Sequence, residues 1–174
     1  MGFTSPQFDF IDGRFTHRRM KTLEVIFTKD LQATSGDPEE ITATTDIINL
    51  STGQLQPGVS LVVTDVDPGV AVLPNKICDL FLVTWQIVDT AGNILAGPFT
   101  TTVSDAVDVP GAGIGPSQTV VQKHDIQIGF CVIPVDTNED GLFDTIFVTL
   151  HIDFCLVVAQ EVVLKINAAQ PFCP

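Results

Sequence analysis

Val, Ile, Thr and Phe recur along this chain with a period of two, and no stretch carries the 3.6-residue period of an amphipathic helix. The alternation predicts strands over 22–29, 40–50, 59–65, 78–89, 93–104, 118–134, 145–157 and 160–168, separated by Gly, Pro, Asn and Asp turn residues. So many short strands with no helix predict an all-β chain: an antiparallel β-sandwich, jelly-roll-like, with an extended N-terminal arm. The boundary is expected near residue 20, giving an arm over 1–20 and a sandwich domain over 21–174. Phe3, Phe8, Phe10 and Phe15 crowd the arm, and a segment this aromatic must pack on its own body or on a neighbour. Asp12-Gly13 can form a turn within it.

Two hairpins follow from particular residues. Leu82–Thr90 and Ile94–Val103 flank Gly92-Asn93, a pair that tolerates the positive φ of a tight turn. Trp85 is expected in the core, and Pro98 at an edge or bulge. In the second hairpin, Ile126, Ile128, Phe130 and Val132 alternate, as do Ile146, Val148, Leu150, Ile152, Phe154 and Leu156. Placing Val135 opposite Thr145 sets Phe130 against Leu150, so both apolar rows share one face. The same register sets Cys131 against Thr149 and Cys155 against Asp125, so these two cysteines should not bridge each other.

Between the strands of that hairpin lies Asp136-Thr-Asn-Glu-Asp-Gly-Leu-Phe-Asp144. Asp136, Asn138, Asp140 and Asp144 stand at loop positions 1, 3, 5 and 9, and Gly141 stands at position 6, where the backbone must turn sharply. Such spacing wraps oxygens around a hard cation, with the Leu142 carbonyl as a further ligand. The loop resembles the Asp-x-Asn-x-Asp-Gly-x-x-Asp calcium loops of integrin-type propeller hairpins and is similar to the start of dockerin and EF-hand loops. It departs from the EF-hand at position 12, where Phe147 replaces Glu, and both its flanks read as strand. The resemblance implies calcium as cofactor.

Composition narrows the function classes. The 174 residues make one domain, and 45% apolar content argues against disorder despite a net charge of −13. No apolar run has the length of a membrane helix, so no membrane insertion is expected. Residues 1–29 carry Arg14, Arg18, Arg19, Lys21 and Lys29 against Asp9, Asp12 and Glu24, a net of +2, whereas residues 30–174 carry −15. Such a body repels nucleic acid and attracts cations and basic partners. The basic segment Arg14–Lys21 either docks on the acidic body of another copy or is a solvated strand end. The opening Met-Gly-Phe-Thr-Ser-Pro-Gln has no basic-then-apolar leader, so export is expected by another route or from a mature end.

Remaining chemistry is sparse. Cys78, Cys131, Cys155 and Cys173 contain no Cys-x-x-Cys pair, which leaves two disulfides or buried free thiols open. His124-Asp125 and His151-x-Asp153 lie near Cys131 and Cys155 on one hairpin face, but a flat strand face lacks a cleft or oxyanion hole. Asp65 and Asp67 before Pro68-Gly69 suggest an acidic turn, with a second cation site as the sharper alternative. Residues 105–117, rich in Gly, are expected to cross between sheets, since no Gly-Lys-Ser/Thr follows.

An aromatic basic arm, an acidic body and a cation loop together point to a non-enzymatic structural subunit. It is expected to self-assemble with calcium into an extracellular filament, tube or surface layer, at a cell or spore surface. Phe3, Phe8, Phe10, Phe15, Arg14, Arg18 and Arg19 would carry contacts between copies. The layout resembles that of self-assembling prokaryotic pilins and spore-appendage β-sandwich subunits, in which an N-terminal extension links successive subunits. Spore-appendage subunits carry cysteines in that connector, and this arm has none. The alternatives are a calcium-stabilised carbohydrate- or ligand-binding module, which needs exposed aromatics, and a phage or virion surface protein.

Overall fold

A computed structural model describes the backbone of residues 3–11, 14–115 and 117–167, and the side chains within 22–115 and 117–162. Eight strands appear in the order β1 (Phe3–Ile11), β2 (Arg14–Thr34), β3 (Glu39–Thr42), β4 (Ser60–Leu73), β5 (Lys76–Val88), β6 (Ile94–Asp108), β7 (Thr119–Val135) and β8 (Thr145–Asn167). Every pairing is antiparallel, and no helix occurs among the described residues. The chain is all-β, as its period-two alternation predicts.

The strands form two sheets. β4-β5-β6 is a consecutive three-stranded meander. The five-stranded sheet centres on β8, which has β7 along one side and β3 then β2 end to end along the other, with β1 outside β2. The inward rows of the two sheets meet in one core. Phe81 on β5 packs edge-on against Phe154 on β8 at 5.0 Å, and Trp85 on β5 lies 5.3 Å from Phe130 on β7. On β8 every second residue from Ile146 to Val158 is buried, the signature of one covered face. Trp85 is wholly buried, and its indole N–H donates to Thr101 Oγ1 at 2.9 Å, so the ring is packed and its polar atom satisfied.

Both hairpins take the expected register. Val135 pairs with Thr145, Phe130 with Leu150 and Cys131 with Thr149. One detail differs: a register shift between His124 and Gln127, with Asp125 at φ 54°, sets Cys155 opposite His124 instead of Asp125. The extra residue shifts the inward row of β7 from even positions (Ile128, Phe130, Val132) to odd ones (Val121, Lys123), a change of phase hidden by the charge at Lys123. At the other hairpin Gly92 has φ 83°, and Asp89 ties the turn together. Its Oδ1 accepts the N–H groups of Ala91 and Asn93, both at 2.9 Å. Pro98 sits on edge strand β6 beside a register shift, as its missing N–H requires.

Four boundaries depart from the sequence reading. The strand expected over 40–50 stops at Thr42, because Ile47 and Ile48 are adjacent yet both buried, which a one-faced strand does not allow. Turns closed on the Thr44 carbonyl and on Asn49 Oδ1 replace it. Asp65–Gly69 is not a turn; it runs inside β4 with Asp65 opposite Thr84 and Asp67 opposite Leu82, and the reversal falls at Asn75, with φ 58°. The crossover begins only after Asp108, and Val109 and Ala112 in it are fully buried. The strands expected over 145–157 and 160–168 are one 23-residue strand, β8.

The N-terminal segment is described as backbone only. β1 and β2 form a hairpin, and β2 passes residue 20 without a break into the five-stranded sheet. β2 and β8 stay paired out to His17 and Asn167, whereas β7 leaves β8 at Gln160. The side chains of Phe3, Phe8, Phe10, Phe15, Arg14, Arg18 and Arg19, the Asp12-Gly13 turn and Cys173 lie outside the described residues.

Candidate metal centre

The acidic loop is held at its base by backbone bonds from two directions. Asp144 N–H donates to Val135 O at 3.1 Å, closing the hairpin, and Phe143 N–H donates to Leu50 O at 2.8 Å. Ala43 N–H in turn donates to Asp144 O at 2.9 Å. Gly53, at φ 75°, brings the 43–56 turns against the loop: a Cβ there would meet Pro134 Cγ at 2.6 Å and Phe143 Cε2 at 3.0 Å. The loop therefore stands on a packed platform that the linear spacing does not reveal.

Within the loop each expected side-chain ligand accepts backbone hydrogens. Asp136 Oδ2 accepts Gly141 N–H at 2.8 Å, and its Oδ1 accepts Asp140 N–H at 3.3 Å. Asn138 Oδ1 accepts Asp140 N–H at 3.1 Å, and Asp140 Oδ1 accepts Leu142 N–H at 2.9 Å. Gly141 has φ 92°, the left-handed turn for which position 6 needs glycine. Asp144 is the most engaged. Its carboxylate accepts the Thr137 hydroxyl at 2.7 Å, the Thr145 hydroxyl at 2.8 Å and the Asn138 N–H at 3.1 Å. Those bonds, from Thr137 first, hold its pKa below the ordinary aspartate value.

The donor set is all oxygen, which suits a hard cation. A carboxylate oxygen that accepts one N–H retains a second lone pair, which leaves Asp136 and Asp140 able to ligate, whereas both Asp144 oxygens already accept two or more hydrogens from Thr137, Asn138 and Thr145. Among the described residues no three His, Cys, Asp or Glu side chains converge into a group that holds an ion by itself. Asn138 and the Leu142 carbonyl would have to complete the shell. Asp65 and Asp67 are exposed along β4 and form no such group either.

The Cys-His-Asp side chains of the β7–β8 hairpin are not assembled as a catalytic constellation. His151 lies over Gly129, and His124 Nε2 contacts Gln122 Oε1 at 3.3 Å. The Cys155 thiol is pushed up, first by desolvation and then by Asp30 and Asp125, the opposite of what an activated nucleophile needs. Cys78, Cys131 and Cys155 are free thiols. Asp30, Asp125, Asp153 and Cys155 line a shallow hollow of about 390 Å³ across β2, β8 and β7. Trp85, the chain's single tryptophan, is buried and cannot serve as an exposed platform for a sugar ring.

Sequence reasoning missed one further group of functional interest. Lys123 on β7 reaches across the core to Asp79 on β5 at 3.2 Å, and both side chains are buried. Asp79 is a charge on the inward row of β5, whereas Lys123 is out of phase with Ile128–Val132 in the sequence and comes inward only through the bulge at Asp125. No family model, curated protein or solved structure matches the chain.

Proposed function

We propose that this chain is a non-enzymatic structural subunit, a calcium-stabilised β-sandwich that self-assembles through its N-terminal arm into an extracellular filament, tube or surface layer. One observation carries the reading: a strand edge with neither proline nor bulge lies beside the arm. Exposed edges invite pairing with other chains, and proteins blunt them with prolines and bulges. β1, β4, β6 and β7 each hold a proline (Pro6, Pro68, Pro98, Pro134) and a register shift. β8 from Val162 to Asn167 has neither, and no β7 residue pairs with it there.

Strand addition at such an edge draws affinity from main-chain hydrogen bonds and register from alternate side chains. Val162-Val-Leu-Lys-Ile-Asn167 has the apolar content to receive a strand. The basic segment 1–29 and the acidic remainder 30–174, at +2 and −15, attract between copies where two acidic bodies alone repel. Repeated head to tail, the contact generates an open polymer instead of a closed ring. Calcium at Asp136, Asn138, Asp140, Leu142 and Asp144 would lower the body's charge and pin the hairpin.

Negative-stain imaging and sedimentation of the full chain, with calcium and with chelator, test the reading. Ordered polymers that are lost when residues 2–20 are deleted support it. A full-length protein that stays monomeric at high concentration with calcium overturns it, as do polymers unchanged by the deletion.

A further inference from the structure

Asp79 and Lys123 form the one buried ion pair among the described residues, and its surroundings are unusual for a structural salt bridge. Lys123 Nζ donates to the carbonyls of Gly69 at 2.5 Å and Leu80 at 3.4 Å, and lies 4.4 Å from the centre of the Phe81 ring. The 3.2 Å approach to Asp79 is close but not aligned as a hydrogen bond, so neither buried Asp79 oxygen has a hydrogen-bond donor. A buried carboxylate is ordinarily compensated by several donors. Asp105 stands directly opposite Asp79 across β5 and β6, at a separation of about 4.5–5.5 Å between Cβ atoms for such pairs.

We propose that Lys123 and Asp79 condense into an intramolecular amide, a covalent clasp between the two sheets with Asp105 as the proton carrier. Burial raises the Asp79 pKa most, Lys123 opposes that shift, and Asp105 adds to it. The step begins with transfer of one proton from the Lys123 ammonium to the Asp79 carboxylate 3.2 Å away, which leaves a neutral amine and a neutral acid. With two N–H groups engaged by the Gly69 and Leu80 carbonyls, the freed lone pair is left to face Asp79. Nitrogen attacks Cγ and the N–C bond forms. Asp105 takes a proton from nitrogen and returns it to the departing hydroxyl, the C–O bond breaks, and one water leaves. No oxidant, reductant or cofactor enters the balance. A hollow of about 200 Å³, lined by Pro68, Gly69, Val70, Val121, Lys123 and Ile126, opens beside Nζ and offers the water an exit.

The clasp depends on neither the calcium nor the assembly reading. Its test is the intact mass of the purified full-length protein under denaturing conditions, followed by tryptic mapping. The bulk of the protein should be lighter than its sequence by one water, and trypsin should leave residues 77–165 as one fragment, uncut after Lys123 and carrying the missing water, with fragmentation placing the link between Asp79 and Lys123. Lys123→Arg and Asp79→Ala should restore the full mass, and Asp105→Asn should slow or abolish bond formation in a protein that still folds by circular dichroism. A full sequence mass with a free Lys123 overturns the proposal. So does loss of water confined to Asp12-Gly13 or Asp140-Gly141, where a backbone succinimide accounts for it.

Discussion

Gly53 is where the platform beneath the acidic loop is most exposed to a single change. Gly53→Ala adds one methyl group at φ 75°, where it meets Pro134 Cγ at 2.6 Å and Phe143 Cε2 at 3.0 Å. The left-handed backbone by itself costs a non-glycine residue about 1–2 kcal/mol. Overlap with a proline ring and a phenylalanine edge adds roughly 1–3 kcal/mol, the usual range for overpacking. Gly92→Ala is the natural control. Its φ is 83°, nearly the same, but a Cβ there meets nothing within 4 Å. The control should therefore lose only the backbone contribution, and the difference between the two variants isolates the contact. In urea titrations Gly53→Ala should unfold at lower denaturant than Gly92→Ala with an unchanged slope. Its melting temperature should lie roughly 2–12 °C below the control's, given about 2–4 °C per kcal/mol for a chain of this size. Equal losses in the two variants would refute the docking of the 43–56 turns on the loop's base.

Other outcomes follow from the same geometry. Thr101→Val keeps the shape but leaves the buried Trp85 N–H without an acceptor, and should destabilise by about 1–3 kcal/mol in the same titration. Asp89 has its pKa lowered, chiefly by the side-chain and backbone hydrogen bonds from Asn93. Its contribution is thus present above the ordinary aspartate value and is lost as pH falls through the depressed one. Asp89→Asn should flatten the stability–pH curve at that acid end, and an unchanged curve would refute the assignment. Calcium should raise the melting temperature of the parent by several degrees over chelator. Asp140→Ala should remove that gain, while Asp144→Ala should destabilise the chelated protein as well, because Asp144 ties Thr137, Asn138 and Thr145 together. Mass mapping of a non-reduced digest should find no Cys131–Cys155 linkage, since β8 sets Thr149 and His124 opposite them.

What the sequence determined by itself was local. Alternation marks the buried row from Ile146 to Val158, Gly92-Asn93 marks a tight hairpin, and the Val135–Thr145 register follows from matching two apolar rows. The loop at 136–144 was legible because ligand spacing and the positive φ of Gly141 depend only on near neighbours. Tertiary structure decided the rest. Adjacent Ile47 and Ile48 are both buried because a turn, not a strand, turns them inward. The bulge at Asp125 moves Cys155 by one partner and shifts the inward row of β7 from even to odd positions, so Lys123 comes inward only in the folded sheet. The stretch of β8 past Gln160 looks like any other strand until the end of β7 shows which edge it leaves unpaired. Nothing in the spacing of Asp79 and Lys123 relates them. They meet only because β5 and β7 present inward faces to the same core from different sheets.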